Sequence, residues 1–253
     1  MFIRRFFIAL QFLTRLPVPR SEVISQEELG EAVAFFPLVG LIVGGCAALA
    51  FVLWQRALPL SVSVLGAIMF AAFLTNGLHE DGLADAFDGF GGGWSKERTL
   101  EIMRDSRIGV YGVLALVFLI VGKLNLLSIL PEGQIWRWLI VGHTASRWTI
   151  VALGAWLPPA RSDGLGRLVT RQSGGVAMLI GTLTLLLTVW FALSRQAALA
   201  ALVVTGLVTL LCGLYFRHRL QGVTGDCMGA ASQFSEVALY LTAAIFVRLQ
   251  LPR

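Results

Sequence analysis

Residues 79–93 combine reactive side chains and glycine in a chain that is otherwise strongly apolar. They read HEDGLADAFDGFGGG. If this stretch is helical, Asp81, Asp85 and Asp88 occupy positions i, i+4 and i+7 and fall within about 60° of one face. Crowded carboxylates repel one another unless a cation neutralises them, and a close set of oxygen ligands suits Mg²⁺. The spacing therefore predicts a divalent metal site, and a solvated acidic loop between two membrane spans is the alternative.

A second group of charged residues follows before the next apolar run. Residues 97–112 read ERTLEIMRDSRIGVYG. Asp105 is placed to extend the metal site. Arg104 and Arg107 are candidates for binding phosphate, because a guanidinium group can hold phosphate oxygens through two hydrogen bonds. A surface helix held together by ion pairs is the alternative for the first half of this segment.

A third polar segment precedes the last apolar run. The predicted loop 217–231 places Asp226 between Gly225 and Gly229, and Glu236 follows at the start of the next span. Glycines let backbone N–H groups approach a ligand closely, and an aspartate among them can bind a metal or orient a hydroxyl. A plain glycine turn capped by Asp226 explains the loop equally well. An acid at the edge of a membrane span is costly, so Glu236 is expected to face a partner or a polar cavity.

Basic residues inside apolar runs are functional candidates, because a bilayer makes an unpaired charge expensive. Lys123 and Arg147 lie in such runs, and Arg147 lies one helical turn after His143. These cations are predicted either to pair with the acids or to hold phosphate. Arg161, in the loop that follows, is a further candidate. The later arginines of that loop fit topology signals or lipid anchors.

Taken together, the acids, the arginines and the glycine loops indicate metal-assisted phosphoryl chemistry. In such a reaction a metal bridges diphosphate oxygens while a carboxylate takes the proton from an attacking hydroxyl. The sequence contains neither a G-x-S-x-G motif nor a Walker A motif, so no covalent nucleophile is needed. The net charge of +5 suits an anionic substrate or lipid headgroups and does not by itself indicate nucleic acid, which we do not expect as a partner.

The elements that must position these groups are membrane helices. Hydrophobic residues make up 57% of the chain and charged residues 14%, and the mean hydropathy is +0.78, which is outside the range of soluble domains. A spanning helix needs roughly 20 apolar residues. Such runs predict an all-α, polytopic bundle of about seven transmembrane helices in one membrane-embedded domain, residues 1–253. The predicted spans are 32–54, 60–78, 109–130, 135–157, 174–194, 197–216 and 232–250.

The first 20 residues are expected to form an amphipathic helix at the membrane interface. Their apolar run is too short to cross a bilayer, is flanked by arginines and lacks a small-residue cleavage site. The positive-inside rule then predicts a cytoplasmic N-terminus, which puts all the long polar loops on the cytoplasmic face. The three cysteines show no paired spacing, so no disulfide framework or zinc site is expected.

These motifs resemble the cobalamin synthase family, the adenosylcobinamide-GDP ribazoletransferases, over almost the whole chain. The similar segments are ALQFLTRLPVP at 9–19, FPLVGLIVGG at 36–45, GLHEDGLADAFDGFGGG at 77–93, IMRDSRIGVYG at 102–112, ASRW at 145–148, GLG at 164–166 and GVTGDCMGA at 222–230, with Glu236 after them. The segments are long and occur in a fixed order, so the resemblance is more specific than any single motif.

The resemblance implies a Mg²⁺-dependent enzyme of the bacterial cytoplasmic (inner) membrane. In that family a ribose hydroxyl of α-ribazole, or of its 5'-phosphate, attacks the cobinamide-linked phosphate of adenosylcobinamide-GDP. GMP leaves, and the product is adenosylcobalamin or its 5'-phosphate. A homo-oligomer, or contact with other enzymes of cobalamin assembly, is compatible with this setting.

The family motifs map onto three acidic segments of this chain, and we assign individual roles on chemical grounds. The expected catalytic residues are Asp81, Asp85, Asp105, Asp226 and Glu236. The expected metal ligands are Asp81, Asp85 and Asp88. The expected substrate-binding residues are His79, Arg104, Arg107, Lys123, Arg147, Arg161 and Gly225.

Two other functions compete with this one. DAFDG at 85–89 copies the start of the D-x-x-D-G-x-x-A-R pattern of CDP-alcohol phosphotransferases, which also displace a nucleoside monophosphate at a membrane site. Glycines replace the A-R pair, and the later aspartates are not at that spacing. A cation-coupled transporter would also bury acids and a lysine among apolar helices. Its acids would line a path at the membrane midplane, whereas most acids here lie in predicted cytoplasmic loops.

Overall fold

The structure is a computed structural model that describes residues 2–18 and 24–249. Within these ranges the chain is helical, and its only extended pairing is an isolated parallel bridge between Pro159 and Val223. The all-α prediction is therefore confirmed. Residues 1, 19 and 20 of the predicted N-terminal helix (1–20) lie outside the described residues. Residue 250 of the predicted last span (232–250) lies outside them as well. The helices are α1 (Phe2–Leu13), α2 (Gln26–Ala32), α3 (Phe36–Trp54), α4 (Leu60–Leu74), α5 (Leu78–Gly92), α6 (Lys96–Ile102), α7 (Val110–Ser128), α8 (Glu132–Trp156), α9 (Leu165–Gln172), α10 (Gly175–Ala192), α11 (Arg195–Leu220) and α12 (Gly225–Arg248).

Five helical segments of the described chain are long and apolar enough to cross a membrane. They are Glu27–Trp54, α7, α10, α11 and α12, and α4 with α5 counts as a sixth if the two form one broken span. Large apolar side chains on their outer surfaces are exposed, including Phe118 at 72% and Phe191 at 81%. Such a surface suits lipid rather than water. The chain is a multi-pass membrane protein.

Helix α8 lies at the centre of the bundle and packs against α3, α9, α10, α11 and α12. It was predicted as a span but is not among the five apolar ones, because its polar residues lower its mean hydropathy. Two glycines of α3 allow the close packing. A Cβ atom on Gly40 would lie 2.2 Å from the His143 carbonyl oxygen, and one on Gly44 would lie 2.7 Å from the Ile140 Cα.

The chain turns sharply between α4 and α5, which are bent by 88°. Asn76 and Gly77 have φ angles of 56° and 66°, the left-handed region that these two residue types tolerate best. The α5 segment confirms that the acidic motif is helical. Because α5 carries a histidine and four acids, we treat it as a helix at the end of the bundle, outside the five spans.

The connection before the last span is shorter than predicted. Most of the predicted loop 217–231 is helical, since α11 ends at Leu220 and α12 begins at Gly225. The Thr224 side chain caps α12 by accepting a 3.1 Å hydrogen bond from the Cys227 backbone N–H. Glu236 therefore lies about three turns inside α12 rather than at its start. The glycines suggested a loop, but close packing on α5 stabilises the helix despite their low helix propensity.

Helix α1 is part of the core as well as amphipathic. Its Ile8, Leu10 and Leu13 side chains are buried, and it packs against α2 and α3. On its polar side Arg4 forms a 2.9 Å ion pair with Glu28 of α2. These contacts hold α1 against the end of the bundle that also carries α5 and α9.

Candidate active site

Helices α5 and α12 cross at a contact between two glycines. A Cβ atom on Gly82 would lie 3.1 Å from the Asp226 Cα, and one on Gly229 would lie 3.3 Å from the Gly82 Cα. Only residues without side chains allow the two backbones to come this close. The crossing brings Asp81 and Asp85 of α5 beside Asp226 of α12, and it is the contact that assembles the acidic cluster.

A cleft of about 240 Å³ opens beside this crossing, between α1, α5, α9 and α12. Its polar lining comes from α5, from the loop before α9 and from the first turns of α12. These residues are His79, Asp81, Arg161, Asp163, Gly164, Gly166, Arg167, Thr224, Gly225 and Asp226, and Asp85 is not among them. The structure thus brings together five residues that the sequence predicted as catalytic or substrate-binding, His79, Asp81, Arg161, Gly225 and Asp226.

Glycines also close the other side of the cleft. A Cβ atom on Gly166 would lie 2.7 Å from the Gly225 backbone nitrogen, so α9 and α12 touch through their first turns. Gly164 has a φ angle of 85°, which favours glycine in the turn that leads into α9. This geometry accounts for the GLG motif at 164–166.

Arg161 reaches over the cleft to the acid of α12. Its Nη2 donates a 3.2 Å hydrogen bond to Asp226 Oδ2, which also accepts one from the Thr224 hydroxyl at 3.3 Å. The Arg161 Nε is buried and has no hydrogen-bond partner. A buried donor without a partner is costly, so Arg161 is placed to receive a further oxygen acceptor, as a phosphate would provide.

The electrostatics of Asp85 show that the acidic cluster lacks compensating charge. Partial burial, followed by the neighbouring carboxylates of Asp81, Asp226 and Asp88, raises the pKa of Asp85 to about 7, although Arg161 acts in the opposite direction. Carboxylates this close to one another need either a proton or a cation.

We tested whether these carboxylates fit the Mg²⁺ ion that the sequence predicts. Among the described residues, no group of three or more His, Cys, Asp or Glu side chains is arranged to hold a metal ion. Mg²⁺ is commonly bound by one or two carboxylates together with substrate phosphates and water. A pair of carboxylates, Asp81 and Asp226, fits an ion shared with a phosphate-bearing ligand, and not a preformed protein cage.

Asp88 has partners other than the acidic cluster. Its Oδ2 accepts a 2.6 Å hydrogen bond from the Gly109 N–H, and its Oδ1 accepts one of 2.9 Å from the Gly112 N–H. The carboxylate therefore caps the first turn of α7, where a negative charge is favoured. A Cβ atom at either glycine would lie within 2.5 Å of this carboxylate, which explains the glycines of the DSRIGVYG segment. The metal-ligand role of Asp88 stays a prediction.

The predicted contributions of Asp105, Arg104 and Arg107 are not brought into the cleft. Asp105 pairs with Arg107 at 2.6 Å on the surface, and hydrogen bonds from the Arg107 side chain and backbone lower the pKa of Asp105 to about 2. Arg104 forms a 2.8 Å ion pair with Asp163, which itself lines the cleft. Asp105 and Arg107 are two residues apart on an exposed turn and pair with each other. The motif alone did not predict this local ion pair.

Glu236 is the centre of a buried ionic network inside the bundle. Its side chain is 1% exposed, and its oxygens lie 2.6 Å from Lys123 Nζ and 2.7 Å from Arg147 Nη1. The expected partner of this acid is thus confirmed to exist, and the two intramembrane cations neutralise it. A buried charge needs such pairing and hydrogen bonding. In the described structure none of the three lines the cleft, so their catalytic and substrate-binding roles stay predictions.

The network extends to α5, in part through Gln233 and Glu80, which sequence reasoning missed. Gln233 accepts a 2.5 Å hydrogen bond from Lys123 and donates one of 3.2 Å to Glu80 Oε1. Arg147 Nη2 lies 3.5 Å from His79 Nδ1. The polar spacing of Gln233 and Glu236 in an otherwise apolar helix was the available signal, because residues three apart share a helix face.

The tautomer of His79 follows from its neighbour. An arginine can only donate, so in a neutral ring the contact from Arg147 makes Nδ1 the acceptor and leaves the proton on Nε2. His79 is 2% exposed and its Nε2 has no hydrogen-bond partner. His79 lines the cleft, and its buried Nε2 is a polar atom beside the cleft that has no partner within the described protein.

The fold and the cleft define a multi-pass helical membrane protein whose acids and arginines meet at one end of the bundle. The chain belongs to the family described as Cobalamin-5-phosphate synthase, which matches residues 5–244.

Its similarity to curated proteins extends over nearly the whole length. It is 40% identical over 244 residues to the adenosylcobinamide-GDP ribazoletransferase of Shewanella frigidimarina, covering 93% of this chain and 92% of the relative. It is 42% identical over 245 residues to the protein of the same name from Shewanella woodyi, covering 93% of each. No solved structure matches the chain.

Proposed function

We propose that this protein is an adenosylcobinamide-GDP ribazoletransferase. The observation that carries the proposal is the meeting of Asp81, Asp226 and Arg161 at one cleft, through the glycine crossing of α5 and α12, with Asp85 beside them in the acidic cluster. The names of the relatives indicate adenosylcobinamide-GDP as donor and a ribazole as acceptor, and we take the acceptor to be α-ribazole or its 5'-phosphate.

Each of these residues has a separate role in a single displacement at phosphorus. A ribose hydroxyl of the acceptor attacks the cobinamide-linked phosphorus, the bond to the bridging oxygen of GMP breaks, and GMP leaves with the negative charge. Asp85 accepts the hydroxyl proton, and a cation bound beside it would keep its carboxylate ionised and so able to act as the base. Arg161 and the His79 Nε2–H hold the phosphate oxygens and position the phosphorus for in-line attack.

Mg²⁺ is part of this proposal. Asp81 and Asp226 would hold the ion together with substrate phosphate, and the ion would neutralise the charge that develops on the diphosphate. The carboxylate pair supports this reading because it needs a cation. The Arg161 Nε supports it because this buried donor has no hydrogen-bond partner and needs an oxygen acceptor, such as the phosphate that would share the ion.

The setting we propose is the bacterial cytoplasmic membrane, with the cleft facing the cytoplasm. The segments near the cleft carry Arg104, Arg107 and Arg161 in loops and Arg167 in α9, in keeping with the positive-inside rule. Donor and acceptor are both polar molecules, which reach such a cleft from the aqueous side.

The test is turnover by the purified protein in detergent. Adenosylcobinamide-GDP, α-ribazole and Mg²⁺ are incubated with the wild type, with Asp85→Asn and with Glu132→Gln, and cobalamin and GMP are measured by chromatography. We expect equimolar products that EDTA and Asp85→Asn abolish. Glu132 is exposed at the first turn of α8, away from the cleft, so Glu132→Gln is expected to retain activity.

Turnover in detergent would also rule out a gradient-driven transporter as the sole function, because no membrane separates two compartments there. A folded wild type that forms no cobalamin but displaces CMP from a CDP-alcohol would overturn the proposal in favour of the second phosphotransferase class.

A further inference from the structure

The cleft has an apolar lining as well as a polar one. The apolar residues come from the ends of several helices that meet here. They are Phe12, Leu13, Phe36, Leu78, Ile150, Val169, Val223 and Met228. A phosphate, a metal ion or a ribose needs none of these side chains, so the apolar lining requires a ligand group of its own.

Two of the apolar residues form a flat aromatic surface. The rings of Phe12 and Phe36 are stacked, with centroids 5.9 Å apart and planes 12° from parallel. Phe36 is 2% exposed and therefore fixed by its surroundings, whereas Phe12 is half-buried. Aromatic faces of this kind favour a third planar ring in offset stacking.

The volume of the cleft indicates which of the two substrates can enter it. A cleft of about 240 Å³ accommodates a nucleoside but not a corrin macrocycle with its side chains. The corrinoid must remain at the mouth of the cleft, with only its diphosphate reaching Arg161 and the acids.

We propose that the apolar lining is the subsite for the aromatic base of the acceptor nucleoside. The proposal rests on the function proposed above and deepens it. The base lies against Phe12, Phe36 and Met228, and its ribose extends toward Asp81 and Asp226, where a hydroxyl meets the phosphate. The aromatic and aliphatic side chains recognise the base by shape and stacking, so bases without amino or carbonyl groups are preferred over bases that carry them.

The proposal gives α1 a function. Phe12 and Leu13, at the end of this helix, form part of the acceptor subsite, and the ion pair between Arg4 and Glu28 helps to hold α1 in place. Helix α1 is therefore a specificity element of the site in addition to an amphipathic helix at the membrane interface.

Steady-state kinetics of Phe12→Ala test the proposal, with Phe7→Ala as the matched control. Phe7 is a half-buried phenylalanine of the same helix that is not among the cleft residues. Loss of stacking on one base is expected to raise the KM for α-ribazole roughly tenfold in Phe12→Ala. The KM for adenosylcobinamide-GDP should change less than about twofold, and Phe12→Leu should fall between wild type and alanine.

A series of bases sharpens the measurement. The ratio of kcat/KM for α-ribazole to that for an α-riboside of adenine should fall in Phe12→Ala and stay at the wild-type value in Phe7→Ala. A merely structural role of Phe12 would lower both values of kcat/KM together and leave their ratio unchanged, which would overturn the proposal. Equal effects on the KM of donor and acceptor would overturn it as well.

Equilibrium dialysis with α-ribazole alone separates this proposal from the proposed function. A wild type that binds α-ribazole, and loses that binding only in Phe12→Ala, supports the subsite even if no cobalamin forms, in which case the transferase proposal fails alone. A wild type that forms cobalamin while Phe12→Ala retains unchanged acceptor binding leaves the transferase standing and overturns the subsite.

Discussion

Gly82 of α5 and Gly229 of α12 meet without intervening side chains, because a Cβ atom on Gly229 would lie 3.3 Å from the Gly82 Cα. This contact fixes the distance between the two helices that carry the acidic cluster. Any side chain at Gly82 would push against the backbone of Asp226, whose Cα and carbonyl oxygen would lie 3.1 and 3.2 Å from the added carbon.

Gly82→Ala is therefore expected to reduce activity far more than stability. The new methyl group moves Asp226 by a fraction of an ångström relative to Asp81 and Asp85, and displacements of about 1 Å can reduce a rate by about 100-fold. We expect kcat to fall by roughly 10- to 100-fold. Cobalamin formation measured at saturating substrate checks the prediction.

The control for this change is Gly45→Ala. Gly45 lies within α3, and a Cβ atom there would meet nothing within 4 Å. Activity should be unaffected, and alanine should stabilise the helix slightly. Equal activities for the two variants would show that the crossing of α5 and α12 does not position the acids.

The position of Asp88 leads to a prediction that separates a structural role from a metal-binding one. Asp88→Asn keeps one carbonyl oxygen but presents an amide group to a backbone N–H, which leaves Gly109 or Gly112 without its acceptor. The free energy of unfolding should fall by about 1–3 kcal/mol. Thermal unfolding in detergent measures this loss. Mg²⁺ affinity, measured by calorimetry at a temperature where the variant is folded, should change little if Asp88 acts only as the cap of α7.

Glu236→Gln should destabilise the protein strongly. The change leaves Lys123 and Arg147 buried without the carboxylate that lies 2.6 and 2.7 Å from them. Removing one partner of a buried ion pair typically costs about 3–5 kcal/mol. Thermal unfolding should show a large decrease in Tm, and Glu132→Gln, at an exposed position, should show almost none.

A second substitution tests the cause of that loss. Adding Lys123→Met to Glu236→Gln removes one of the two uncompensated cations and should recover part of the stability. No recovery in the double variant would mean that the uncompensated charge of Lys123 is not what destabilises Glu236→Gln.

The sequence predicted the helical class and the helical acidic motif because both depend on local properties. Apolar runs of sufficient length define spans, and a helix period places Asp81 and Asp85 on one face. The predicted count of about seven spans included α8, which is not one of the five apolar segments. Helix α8 is enclosed by other helices and so does not need an apolar surface. The 88° bend between α4 and α5 depends on two residues, Asn76 and Gly77, with left-handed backbone angles.

Contacts between residues that lie far apart in the chain could not be predicted from the sequence. Asp88 shares its stripe with Asp81, but its acceptor capacity is used by Gly109 and Gly112 of another helix. The spacing of Gln233 and Glu236 indicates a shared polar face, but it does not identify Lys123, 110 residues away, as the partner of Gln233. Long-range pairing of this kind is decided by packing, which no periodicity in a single sequence encodes.

The raised pKa of Asp85 predicts that binding of Mg²⁺ depends on pH. Burial and the carboxylates of Asp81 and Asp226 raise this pKa to about 7, so the metal-free folded state favours the protonated acid. Because a folded-state pKa above the unfolded value means that the charged form is disfavoured, this group destabilises the metal-free protein as pH rises from about 4 to about 7. A bound cation reverses the effect, since it favours the ionised carboxylate.

We therefore expect Mg²⁺ affinity to rise by up to about tenfold between pH 6 and pH 8, the factor for competition with one proton of pKa about 7. The increase in Tm on adding a fixed Mg²⁺ concentration should likewise be larger at pH 8 than at pH 6. Asp85→Asn should abolish most of this difference because the amide does not titrate, whereas Glu132→Gln should preserve it. An affinity that is independent of pH in the wild type would show that Asp85 and the ion do not share a site.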